Sequence, residues 1–185
     1  INFNQPLDNW LFNNLNNISS TFEGSIKFNQ PINNWNVSEV KYMKGVFKKA
    51  ILFNQELNRW LVNNVEEMQE MFASTKDFNQ ELNNWNTKNV SNMSFMFANA
   101  KGFNKPLDNW ITDKVNLMNH MFFGASKFNM NINIWNVKDV IDMSWMFSNS
   151  TSFNQPLNNW NVINVLNMEC MFNGAENFNQ PLNTW

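Results

Sequence analysis

An uninterrupted period of 25 residues constrains this chain more than any other feature. Phenylalanine recurs at Phe3, Phe28, Phe53, Phe78, Phe103, Phe128, Phe153 and Phe178, and tryptophan at Trp10, Trp35, Trp60, Trp85, Trp110, Trp135, Trp160 and Trp185, with no insertion between copies. A fixed step of this length signals a stack of coils, each burying its apolar face only against its neighbours. Residues 1–185 therefore read as a single solenoid, seven repeats plus a partial eighth, cut from a longer protein. Positions within a repeat are numbered below by the first copy, and coils 1 to 7 begin at residues 1, 26, 51, 76, 101, 126 and 151.

The apolar or small positions of the unit are 3, 7, 10, 12, 15, 18, 21, 22 and 25. From position 15 onward they have helical spacing. In coil 4 they are Val90, Met93, Met96, Phe97 and Ala100, which fall within an arc of roughly 120° at about 100° per residue. The spacing predicts a short helix over about positions 15 to 24. Positions 10 and 12 alternate, as in Trp35 and Val37, which predicts a short strand near positions 9 to 12 with both side chains on one face. Pro6, Pro31, Pro106, Pro156 and Pro181 all occupy position 6, so the strand must begin after it. Equivalent strands would pair in parallel, about 4.8 Å apart. The expected fold class is an α/β solenoid with one short parallel strand and one short helix per repeat.

Two polar or amphipathic rows need a role. Asn4, Asn29, Asn54, Asn79, Asn104, Asn129, Asn154 and Asn179 follow the phenylalanine in every copy. An amide both donates and accepts, so this row reads as a structural asparagine ladder that satisfies backbone groups where the coil turns; the alternative is a polar array facing a ligand. The tryptophan row reads as core, the alternative being a stacking platform for sugars or bases. Methionines at positions 18 and 21 read as adaptable core filling. Asn is over-used along the whole chain and Arg occurs once, at Arg59, a bias that an AT-rich genome would impose.

Charge and chemistry exclude more than they assign. A net charge of -2 and a pI of about 5.4 leave no electrostatic footprint for nucleic acid. Apolar runs are too short for a transmembrane segment. His120 and Cys170 are the only histidine and cysteine, and they share a phase two coils apart. That separation, roughly 10 Å from the coil spacing, is too long for nucleophile activation. No metal-ligand spacing, glycine-rich phosphate loop or calcium-binding aspartate pattern appears, so no catalytic residue, metal or cofactor is expected. Lys41 and Glu66 share a phase in adjacent coils and are expected to form an ion pair.

The recurring string FNQPLNNWNVxxVxNMxxMFxxA resembles the 25-residue repeat of BspA-like surface proteins, also described as the mycoplasma-type surface-protein repeat or PARCEL domain, over the whole chain. The resemblance implies a leucine-rich-repeat-like, right-handed coil stack. It also implies display on the cell surface, often through a lipoprotein anchor, and a role in adhesion or host interaction. It supplies no catalytic residues. Ile18, Thr21 and Val46 depart from the usual Met and read as core swaps.

Function has to lie where the copies differ. Position 20 reads Ser20, Gly45, Glu70, Phe95, His120, Trp145 and Cys170, and beside it lie Phe123 at position 23 and Ile141 and Leu166 at position 16. Phe95, His120, Phe123, Ile141, Trp145 and Leu166 are therefore expected to form an exposed partner-binding patch, where a soluble monomer would place polar residues. The competing readings are contact with a flanking domain and drift. A second rhythm, Leu11, Leu61 and Ile111 in copies 1, 3 and 5 in place of the Asn of Asn36, Asn86, Asn136 and Asn161, suggests growth by a doubled unit. The favoured function is a non-catalytic, surface-displayed scaffold for adhesion to, or recognition of, a host or matrix protein or glycan. The alternative is a surface-layer or filament element that self-associates through coil ends or edges.

Overall fold

The computed structural model describes residues 2–7 and 9–185. Among them there is no helix, and β pairing is confined to one parallel bridge per coil, running Asn17, Tyr42, Glu67, Asn92, Leu117, Asp142, Asn167. The expected leucine-rich-repeat-like α/β solenoid, with a helix and a strand in every repeat and a parallel sheet along one side, is therefore incorrect. What stacks instead is a coil made almost wholly of turns.

The backbone shows why the helix fails. In coils 1 to 6 the amides of positions 18, 20, 22 and 24 donate to carbonyls one position earlier in the next coil, as in coil 4: Met93 to Leu117, Phe95 to Asn119, Phe97 to Met121 and Asn99 to Phe123, at 2.6–3.0 Å. The amides between them close i to i+3 turns, Met96 to Met93, Ala98 to Phe95 and Ala100 to Phe97. Alternate amides thus point along the stack, which an i to i−4 helix forbids. Positions 20 and 24 also have φ between 52° and 71° in all seven coils, which suits the third residue of a type II turn and excludes a helix. In coils 2 to 6 overlapping turns put positions 18, 21, 22 and 25 on the inside, so the apolar spacing mimics a helix without one; Thr21, read as a core swap, is instead exposed in the first coil.

The strand fails for a different reason. Trp and Val at positions 10 and 12 do face inward, yet inter-coil bonding there comes from side chains. Asn33, Asn83 and Asn133 Oδ1 accept the amides of Arg59, Asn109 and Asn159 at 2.9 Å. Asn64, Asn89 and Asn164 Nδ2 donate to Ser38, Asn63 and Lys138 carbonyls. Asparagine amides take the place of a main-chain ladder, which gives much of the asparagine excess a structural reason.

Three columns of rings fill the interior. The Phe column at position 3 steps by 5.8–6.1 Å between ring centres, the Trp column by 6.0–6.5 Å, and the Phe column at position 22 by 5.5–5.8 Å. The two Phe columns face each other at 3.9–4.1 Å. Trp35, Trp60, Trp85, Trp110, Trp135 and Trp160 are buried, so their faces are not a platform. Each indole N–H donates to the position-7 carbonyl of the preceding coil, from Trp35 on Leu7 to Trp160 on Ile132, which satisfies the one polar atom that burial of the ring would otherwise strand.

Candidate functional site

The asparagine row lies at a corner of the stack. Each Oδ1 from Asn4 to Asn154 accepts the backbone amide of its successor, ending at Asn179, at 2.9–3.0 Å. Gln30, Gln55, Gln80, Gln155 and Gln180 add a second donor to the row. Inner members are half-buried, while Asn4 and Asn179 are exposed.

On the turn face, the left-handed φ of position 20 sends its side chain outward. Phe95 stacks on His120 at 4.3 Å and His120 on Trp145 at 5.9 Å, with interplanar angles of 12° and 10°. Phe123 leans against both His120 and Trp145, at 5.7 and 6.3 Å. The four rings form one outer column and are half-buried. That corrects the expectation of six freely exposed side chains. Ile141 and Leu166 are exposed at 43% and 85% and adjoin each other through the position-16 ladder, Leu166 N–H on Ile141 O at 2.9 Å.

Left-handed backbone costs a non-glycine residue about 1–2 kcal/mol. Gly45 is the residue that this backbone favours. Phe95, His120 and Trp145, with φ of 58° and 59°, hold the same conformation with bulky rings, so local folding preference does not account for them. His120 Nδ1 is shielded from solvent and has no hydrogen-bond partner. Burial lowers the His120 pKa from its ordinary 6.5, with the Asp142 carboxylate opposing in part.

The N-terminal half of this face is charged. Lys48 pairs with Glu70 and reaches Glu23 at 3.7 Å, and its pKa is raised chiefly by the hydrogen bond to Glu70. Lys41 and Glu66 pair at 3.0 Å, both half-exposed, and the hydrogen bond to Glu66 raises the lysine. Between the charged and aromatic halves lies a cavity of about 250 Å³ bounded by Phe95, Glu70 and the small residues Ala73 and Ala98. Sequence reading passed over the two alanines. The available signal was position 23, where alanine occurs only in coils 3 and 4. Among the described residues, no group of three or more His, Cys, Asp or Glu could hold a metal ion, and no helix is long and apolar enough to cross a membrane.

A stack of turn-built coils with an outer aromatic column defines a repeat scaffold. The family described as "Mycoplasma protein of unknown function, DUF285" matches residues 1–110 and again 92–185, and the chain belongs to it. No curated protein and no solved structure gives a match.

Proposed function

We propose that this chain is a non-catalytic recognition scaffold of the BspA-like, PARCEL type, displayed at the cell surface through an anchor elsewhere in its protein, and that the outer face of coils 4 to 6 binds a host or matrix protein or glycan. Membership of a surface-repeat family supports the location. The observation that carries the binding face is the Phe95–His120–Trp145 column, built at three successive left-handed positions against backbone preference. The left-handed backbone recurs at position 20 in every coil; what sets coils 4 to 6 apart is that it carries stacked aromatic rings there. Aromatic side chains are also the most frequent anchors of interfaces.

The test is Trp145→Gly, which copies Gly45 of coil 2. Glycine loses the ring contacts but relieves the positive φ, about 1–2 kcal/mol, so the melting temperature should change little. Attachment to host cells or matrix should weaken about tenfold or more, equivalent to at least about 1.4 kcal/mol. Unchanged attachment removes the column from the reading. Polymers that grow with concentration in the unaltered chain would point to the assembly role instead.

A further inference from the structure

The outer ring column stops at Phe95, and the place of its next ring is the 250 Å³ cavity. Phe95 gives one face to His120 in coil 5; its other face turns toward coil 3, where position 20 is Glu70 and the side chain is ion-paired with Lys48. The floor is low because position 23 is Ala73 in coil 3 and Ala98 in coil 4, both buried, whereas the same position carries Glu23, Lys48, Phe123, Ser148 and Asn173 elsewhere. Ser74 and Asn99 complete the rim. Their backbones are held at φ of 61° and 57° by amides that donate to the next coil at 2.7 and 2.6 Å. The rim is therefore preorganised. The volume falls below the roughly 300–1,000 Å³ of pockets for drug-sized ligands and suits a single ring.

We propose that this cavity binds one pyranose residue of a glycan, stacked on the free face of Phe95. This rests on the recognition reading and names the ligand class of that face. A pyranose has an apolar C–H face to set against the aromatic ring and the alanine methyls, and hydroxyls that each donate one hydrogen bond and accept up to two. Glu70 supplies acceptors, Lys48 donors, and Ser74 and Asn99 both. A phenyl side chain of a protein partner would fill the same space but offer no hydrogen bond to the polar rim of Glu70, Lys48, Ser74 and Asn99. That contrast favours the sugar.

The test takes the full chain and, as probes, the methyl pyranosides of glucose, galactose, mannose, fucose, N-acetylglucosamine and N-acetylgalactosamine, read by saturation-transfer NMR and by shifts of the Phe95 ring signals. Ala98→Phe closes the cavity with the side chain that coil 5 already carries at this phase, Phe123; its fold is checked by circular dichroism and melting. Leu61→Asn, on another face and copying the Asn of even coils, is the control. At least one pyranoside should shift Phe95, and Ala98→Phe should weaken it at least tenfold, with Leu61→Asn within twofold of the parent. No shift with any probe, or equal binding by Ala98→Phe, overturns the sugar assignment. Attachment that survives deglycosylation of the host surface but is blocked by Ala98→Phe overturns it in favour of a protein side chain. If attachment depends on Trp145 while no pyranoside binds, the recognition face stands and only the sugar cavity falls.

Discussion

Trp85→Phe isolates what one buried indole contributes. Its Nε1 donates to Leu57 O at 3.0 Å, Trp60 and Trp110 stack on either side at 6.4 Å, and Phe72 leans against it at 6.2 Å. Leu57 O keeps a second donor, the Trp60 amide at 3.1 Å, so the substitution orphans no carbonyl and costs about one net hydrogen bond, ~1 kcal/mol. The stacked neighbours cannot close in, so a void of roughly 40 Å³ adds about 1 kcal/mol at ~24 cal/mol per Å³. The expected loss is about 2 kcal/mol, against about 3–5 kcal/mol for Trp85→Ala, where the cavity is larger. Trp10 has the same phase but is 52% exposed, and its indole nitrogen has no hydrogen bond among the described residues, so Trp10→Phe should cost less than about 0.5 kcal/mol. Urea unfolding followed by circular dichroism measures all three. Equal losses for Trp85→Phe and Trp10→Phe, or no loss for Trp85→Phe, would refute the reasoning.

Asn104→Ala removes the side-chain acceptor of the half-buried Asn129 amide and should destabilise by about 1–3 kcal/mol, while Asn104→Asp, which keeps the oxygen, should cost less; urea midpoints decide. Because burial lowers the folded pKa of His120 below 6.5, the unfolded chain takes up that proton first. The stability His120 carries is full above about 6.5 and is lost as pH falls through the folded value. An NMR titration should therefore place His120 below 6.5, and the stability difference between the parent and His120→Phe should shift against the parent as pH falls from 7 to 5.

The period, the inward rows and the corner role of the asparagines were legible because each follows from which positions tolerate change within one chain. The local backbone was not. Val90, Met93, Met96, Phe97 and Ala100 have the spacing of a helix face, and overlapping turns with alternate amides directed along the stack bury the same positions. Glycine at Gly45 and Gly124, at the phases that carry φ > 0 in every coil, was the signal against a helix, but Phe95, Trp145 and Lys49 at those same phases hid it. The outer column was visible as a row of unexplained aromatic residues. Its half-burial was not, since that depends on rings in successive coils stacking face to face. The cavity was missed because it is defined by what Ala73 and Ala98 lack.

The central claim, that the interior carries the fold and the outer face of the later coils carries recognition, is tested most directly by one exchange of residues between coils. A chain with Phe95→Ser, His120→Gly, Phe123→Glu and Trp145→Gly carries at positions 20 and 23 the residues of Ser20, Gly45 and Glu23, and its attachment to host cells and matrix is compared with the parent at matched folding. The account predicts an unchanged circular dichroism spectrum and melting temperature with attachment reduced to background. Full attachment by the folded exchange variant would contradict it.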